Sequence, residues 1–298
     1  MDPIAKRTIS GLAVGLGIIA LFLYCPLRGI LPIVFVLSLL AQLEFYQMAR
    51  KYEPVTWFGL LAGSCFVLAA GLYGFSPDLF GLVPYFIPAL LLTFFLLSIF
   101  VLFNSRYANP LGSIAVTLLG FFYVPFLLSF FLLMTQFTGH GFWGGDAWTS
   151  RVGLYTLFAL IAMAKFSDTG GFAFGVAFGK HKMCPTISPN KSWEGLVGSM
   201  VFAAVTAAVF LTIARHFNWA EHVPVWGRFT YPTALAFGAV LALVATAGDL
   251  VESRFKREVG VKDSATFMPA GMGGFLDMLD SALFIPALAY PLLFAFSS

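Results

Sequence analysis

Charged side chains are scarce in this 298-residue sequence: Asp, Glu, Lys and Arg make up 10% of it, against 59% hydrophobic residues and a mean hydropathy of +0.89. Soluble domains carry about a quarter charged residues, so water is excluded as the main solvent of this chain. Cysteine is nearly missing as well. The three present, Cys25, Cys65 and Cys184, are an odd number at unrelated spacings, which gives neither a disulfide framework nor a metal-binding motif. Histidine occurs four times, and three of these, His140, His216 and His222, fall in loops predicted on the outer side, leaving His181 alone on the inner one. A formal net charge of +3 is too small to point to a nucleic-acid partner and suits a membrane surface and phosphate groups.

What the sequence has in abundance is apolar stretches near the length, about 20 residues, that a helix needs to cross a bilayer. Nine are legible: Thr8 to Leu27, Gly29 to Leu43, Val55 to Phe75, Leu82 to Phe103, Pro110 to Phe137, Val152 to Phe178, Gly195 to Ala214, Phe229 to Gly248 and Ser281 to Phe296. Lys6 and Arg7 precede the first, which lacks a small-residue cleavage site and reads as a retained span. The expected fold is an all-α polytopic transmembrane bundle of about nine spans with its amino terminus in the cytoplasm. That orientation puts 12 of the 17 Lys and Arg residues on the inner side, as positively charged loops require. The chain is expected to be an integral multi-pass protein, of the inner membrane if bacterial, with its reactive side facing the cytoplasm. Residues 1–150 are expected to be lipid-facing or oligomer-contacting helices, including a homodimer contact. Residues 151–298 are expected to be the catalytic region.

Of the 14 acidic residues, Asp168, Glu194, Asp249, Glu252, Glu258, Asp263, Asp277 and Asp280 fall in two short windows. Carboxylates at membrane depth are expensive unless they pair, bind cations or face water, so their default reading is functional. In the first window, Lys165, Ser167, Asp168 and Thr169 interrupt the sixth span, and Gly170, Gly171, Gly175 and Gly179 follow. Close packing of small residues against a neighbouring helix is the simplest reason for those glycines. Beyond Lys180 and Lys182, the stretch Ser188-Pro189-Asn190-Lys191-Ser192 reads as a turn leading into span seven, where unpaired helix N–H groups favour an anion. Ser188 or Ser192 as a plain helix cap is the bland alternative.

In the second window, Glu252, Ser253 and Lys256 share a helix face with Asp249, while Asp277 and Asp280 stand three apart on another helix. Hard divalent ions take oxygen ligands, commonly one or two carboxylates plus waters and substrate phosphates. Asp249, Asp277 and Asp280 are therefore the candidate ligands of Mg2+, with a second divalent or monovalent ion left open. Structural ion pairing with Lys256, Arg257 and Lys262 is the competing reading.

These windows resemble the phosphatidate cytidylyltransferase (CDP-diacylglycerol synthase) family over about residues 160 to 285. The closing signature is met by Ser253, Lys256, Arg257, Lys262, Asp263, Pro269, Gly273, Gly274, Asp277 and Asp280. The upstream stretch is met by Asp168, Lys180, Lys182, Ser188, Pro189, Lys191, Ser192, Glu194 and Gly195. Met272 and Met278 stand where the family signature has His and Arg, and neither thioether can carry charge. The resemblance implies transfer of a cytidylyl group from CTP to phosphatidic acid in phospholipid biosynthesis, with catalytic roles for Asp249, Lys256, Asp277 and Asp280. Substrate binding falls to Asp168, Lys180, Lys182, Ser188, Lys191, Ser192, Ser253, Arg257, Lys262, Asp263, Gly273 and Gly274. The role of the lost arginine would fall to another base, Arg254 or Arg257, or the site would be weaker.

Three other readings compete. A CTP-dependent lipid kinase would use the same residue chemistry. An ion-coupled secondary transporter would also carry intramembrane charge, but usually with related halves, and the acids here crowd into one. A CDP-alcohol phosphotransferase would need four spaced aspartates with an Ala-Arg step, which the sequence lacks.

Overall fold

The computed structural model describes residues 27–72, 79–135, 147–217, 228–261, 264 and 274–297. Nearly all of them are helical: α1 (Leu27–Met48), α2 (Thr56–Leu72), α3 (Leu79–Leu102), α4 (Pro110–Phe121), α5 (Leu127–Thr135), α6 (Ala147–Phe178), α7 (Trp193–His216), α8 (Tyr231–Glu258) and α9 (Phe275–Ser297). A π-helical turn, Phe122–Phe126, joins α4 to α5. Pro125 lies within it and cannot donate an N–H, so the regular α-helical hydrogen-bond ladder is interrupted there. Among the described residues, six helical segments are long and apolar enough to cross a membrane, and Thr56–Gly71 and Pro88–Leu102 are shorter apolar helices. The chain is a polytopic, essentially all-α membrane protein. Of the predicted segments, the second, third, fourth and sixth to ninth each overlap one of these helices, the fifth overlaps α4, the π-turn and α5 together, and the first, with Cys25, lies outside the described residues but for Leu27.

Helix ends follow local chemistry. Asn109 accepts the Gly112 N–H ahead of Pro110 to start α4, and Ser192 does the same for Gly195 at α7. Thr230 and Thr233 form a reciprocal capping box at α8, whose last turn carries Lys256 and Arg257 before Gly260 adopts φ 77°.

The chain divides into two compact units: residues 1–145 with 261–277, and residues 146–260 with 278–298. In the first, α1, α2, α4 and α5 pack through a buried polar core. Gln42 Nε2 donates to the Gly59 carbonyl at 2.9 Å and the Tyr46 hydroxyl to that of Thr117 at 2.7 Å. A side chain at Gly59 would collide with the Tyr46 ring, so the close approach of α2 to α1 depends on that glycine.

In the second unit, α6 packs along α7, and α7 along α8. Gly170 and Gly171 on α6 face Gly195, Gly198 and Ser199 on α7, where a Cβ on Gly170 would stand 2.5 Å from the Gly198 carbonyl oxygen. Small-residue packing is thus what these glycines do. Helix α6 runs unbroken through Lys165–Gly171 for 32 residues.

The stretch 188–192 differs from the expected turn. It is a strand, β2 (Ser188–Ser192), paired antiparallel with β1 (Lys182–Cys184). The hairpin is anchored to α7 by Glu194, whose carboxylate accepts the His181 N–H at 3.2 Å and meets His181 Nδ1 at 2.6 Å.

Candidate active site

A cavity of about 310 Å³ opens in the second unit. Its walls come from α6 (Asp168, Gly171, Phe172), the hairpin (Met183, Ser188, Asn190, Lys191, Ser192), α7 (Gly195, Leu196, Ser199), α8 (Thr246, Asp249) and α9 (Asp280). Gly171 and Gly195, which let α6 and α7 approach closely, stand in the wall where the two helices meet. The sequence expectations Asp168, Ser188, Lys191, Ser192, Asp249 and Asp280 therefore converge on one space.

Two clusters of charge set its chemistry. Lys191 reaches across from β2 to Asp249, Nζ to Oδ2 at 2.5 Å, and also donates to the Thr246 carbonyl at 3.3 Å. The pair is about a quarter exposed, at 23% and 28%, so it is screened less than a surface pair yet stays open to a ligand. On α6, Lys165 Nζ lies 3.9 Å from Asp168 Oδ2 and donates to Ser281 Oγ at 3.4 Å and the Met278 carbonyl at 3.3 Å. Ser281 in turn donates to Asp168 Oδ2 at 2.8 Å. This lysine stands out in the sequence as a charge inside a span, but two of its partners, Met278 and Ser281, lie more than a hundred positions away.

The other expected residues sit around this centre. Ser253 Oγ donates to Asp249 Oδ1 at 3.5 Å, one turn along α8. Lys256 pairs with the fully buried Glu252 at 3.3 Å, an ordinary i,i+4 contact. Arg257 Nε donates to the Ile187 carbonyl at 3.4 Å and so ties the end of α8 to the hairpin turn. Lys180 and Lys182 are exposed, and Lys182 pairs in register with Ser192. Lys262, Asp263 and Gly273 lie outside the described residues, as do Pro269 and Met272.

Asp277 and Gly274 belong to the first unit. There Asp277 Oδ2 accepts the N–H groups of Gly274 at 2.7 Å and Ser264 at 3.0 Å, which caps the start of α9. Beside it, Glu44 of α1 is fully buried, and its Oε2 accepts the Leu276 N–H at 2.9 Å and the Ser264 hydroxyl at 3.5 Å. Gly274 admits this carboxylate, since a Cβ there would stand 2.5 Å from Oε2. Nothing in the sequence flagged Glu44, an acid within an apolar run.

Oxygen donors are what a hard divalent cation requires, and Asp168, Asp249 and Asp280 present carboxylates to one cavity. Among the described residues no three His, Cys, Asp or Glu side chains stand close enough to form a complete cage.

Comparison with known proteins agrees with this chemistry. The chain is 35% identical over 178 residues to a phosphatidate cytidylyltransferase of Mycobacterium bovis, covering 59% of this chain and 49% of that protein. It is 38% identical over 157 residues to one from Staphylococcus saprophyticus, 53% and 55% of the two chains. It is 29% identical over 262 residues to one from Chlamydia muridarum, 86% and 78% of the two. The first of these alignments spans about half the length of the curated relative. The profile described as the cytidylyltransferase family matches residues 5–296. That match takes in the amino-terminal helices as well as every element lining the cavity, so the chain belongs to the cytidylyltransferase family along its whole described length and not through one shared motif.

Proposed function

We propose that this chain transfers the cytidylyl group of CTP to phosphatidic acid, giving CDP-diacylglycerol and pyrophosphate. The observation that carries the reading is the cavity in which Lys191 and Asp249 meet Asp168 and Asp280 on membrane helices, in a chain whose relatives bear the name phosphatidate cytidylyltransferase.

In the reaction, a phosphate oxygen of phosphatidic acid bonds to the α-phosphorus of CTP, and the bond from that phosphorus to the β-phosphate bridging oxygen breaks. The electron pair leaves with pyrophosphate. A phosphate monoester has a second pKa of about 6, so the nucleophile is largely dianionic at neutral pH and needs no strong base. The protein's work is to bring two anions together in line and to stabilise the departing charge.

In this reading Lys191, Lys256, Arg257 and Lys262 hold phosphate oxygens, and Lys165 adds a cation beside Asp168. Asn190, Ser188 and Ser192 line the cavity from the hairpin and orient the nucleotide. Asp249 and Asp280, with Asp277 assigned by its place in the signature, would hold Mg2+, which when bound neutralises phosphate charge and polarises the phosphoryl group. A second ion belongs to the same ligand set. Lipid access explains why the site is built on apolar helices, because the acyl chains stay in hydrocarbon while the phosphate enters a polar cavity.

Nine spans, the first over Thr8 to Leu27, put the amino terminus and the cavity on the cytoplasmic side where CTP is found. The asymmetry of Lys and Arg supports that orientation. The helices of residues 1–150 then form the lipid-facing wall or the contact with a second copy, and residues 151–298 the catalytic region.

The test is pyrophosphate release by the purified full chain in detergent with CTP and phosphatidic acid, with and without Mg2+. The expected product is a cytidine-linked lipid. CDP with a phosphorylated lipid would identify a kinase instead, and the absence of nucleotide turnover would remove the assignment.

A further inference from the structure

The first unit holds a second cavity, of about 540 Å³, made by the loop between α1 and α2 and the loop between α3 and α4. It is lined by Arg50, Glu53, Trp57, Leu60, Arg106 and Tyr107, among others. Alternation of the helices brings both loops to the same end of the unit. We propose that this cavity binds one anionic glycerophospholipid by its headgroup phosphate, a site separate from the cavity of the second unit and independent of the activity assigned to it.

Charge is the first argument. Two guanidinium groups, one from each loop, line the cavity, and among the described residues neither has a hydrogen bond or ion pair from its side chain. Glu53 is the acid in the lining. Its Oε2 accepts the Ala108 N–H at 3.0 Å, which clasps one loop to the other and leaves the two arginines in excess. Guanidinium forks match phosphate oxygens bidentately, which a scatter of lysines does not.

Shape and surroundings supply the second. Trp57 packs edge-on against Phe100 at 5.2 Å and Phe100 against Tyr107 at 6.1 Å, so the aromatic wall is fixed. Flanking the Arg106 loop in sequence, Leu102, Phe103 and Leu111 are 75%, 83% and 79% exposed, the apolar rim that acyl chains need. A free phosphate would use the arginines and leave that rim uncovered. Arginines at helix ends also act as topology signals, but that role asks for no cavity and no one-to-one ligand.

Native mass spectrometry of the detergent-solubilised full chain, titrated with phosphatidylglycerol, tests the site. One phosphatidylglycerol should be retained per chain. R50Q/R106Q should weaken it at least about tenfold, the loss of charge-assisted contacts, while D249N in the other cavity should not. Should the double variant fail to fold, R50Q and R106Q singly carry the test, each with a severalfold loss. Equal binding by the arginine variants, equal retention of zwitterionic phosphatidylcholine, loss of the adduct in D249N, or inorganic phosphate binding as tightly as the lipid would each overturn the proposal.

Discussion

The ammonium group of Lys165 donates to the main-chain carbonyl of Met278, 3.3 Å away, although 113 residues separate the two in sequence. Position 278 is where the family signature carries its arginine, so a cation reaches this spot from another helix. The expectation that Arg254 or Arg257 takes over that charge thus has a rival in Lys165. Replacing Lys165 by Met should lower kcat by about 100-fold, the scale of removing one preorganised donor from a charge-developing site. The double variant K165M/M278R should recover part of it. Steady-state kinetics on both variants, at matched membrane expression, checks this, and unchanged turnover in K165M would remove Lys165 from the site.

Lys191 and Asp249 form one unit, and their substitutions should not add. D249N is expected to abolish turnover with membrane insertion intact. K191Q is expected to lower it by about 10 to 100-fold, the loss of one charge-assisted contact, and K191Q/D249N should be no worse than D249N alone. A full double-mutant cycle on kcat/KM measures the coupling; strict additivity would separate the two residues.

Chelation should stop turnover, and added Mg2+ should restore it. Because the helices are held by glycine contacts and buried hydrogen bonds, the thermal unfolding midpoint should barely move when the ion is stripped. A large drop in that midpoint on chelation would mean that the ion holds the fold.

Gly198 tests the packing of α6 on α7. An added methyl would stand 2.5 Å from the Gly170 carbonyl oxygen and equally close to the Phe174 side chain. Backbone cannot yield cheaply, so G198A should destabilise by roughly 1 to 3 kcal/mol. Thermal unfolding in detergent reads the effect, and a neutral result would mean that the two helices are further apart.

Glu44 holds the Leu276 N–H and the Ser264 hydroxyl from a fully buried position. E44A strands both donors and should cost about 1 to 3 kcal/mol of stability. E44Q, which keeps an acceptor, should recover much of it. Comparing their unfolding midpoints with the wild type decides whether the hydrogen bonds matter.

Much of the architecture was legible because lipid imposes a coarse code: runs of apolar residues near 20 long, broken by Lys, Arg, Pro and Gly. Among the described residues the apolar segments overlap helices, and Asp168, Asp249 and Asp280 line one cavity, whereas Asp277, expected beside Asp249 and Asp280, caps the start of α9. The hairpin escaped, since Lys182–Cys184 is three residues long and its register shifts, too short for an alternating pattern to register. Glu44 escaped for a different reason. Its hydrogen-bond partner Leu276 is 232 positions along the chain, and no local pattern encodes a contact of that span. Lys165 stood in plain view as an intramembrane charge, yet only the fold shows that Ser281 and Met278 come to it.

The Glu44 carboxylate also sets a clock on biogenesis. Leu276 emerges 232 residues after it, on the order of tens of seconds at ribosomal rates of about 5 to 20 residues per second. Throughout that interval the acid waits in the nascent bundle without its destined donors, so a chain cut short before the last helix would keep this carboxylate with no Leu276 N–H to meet it.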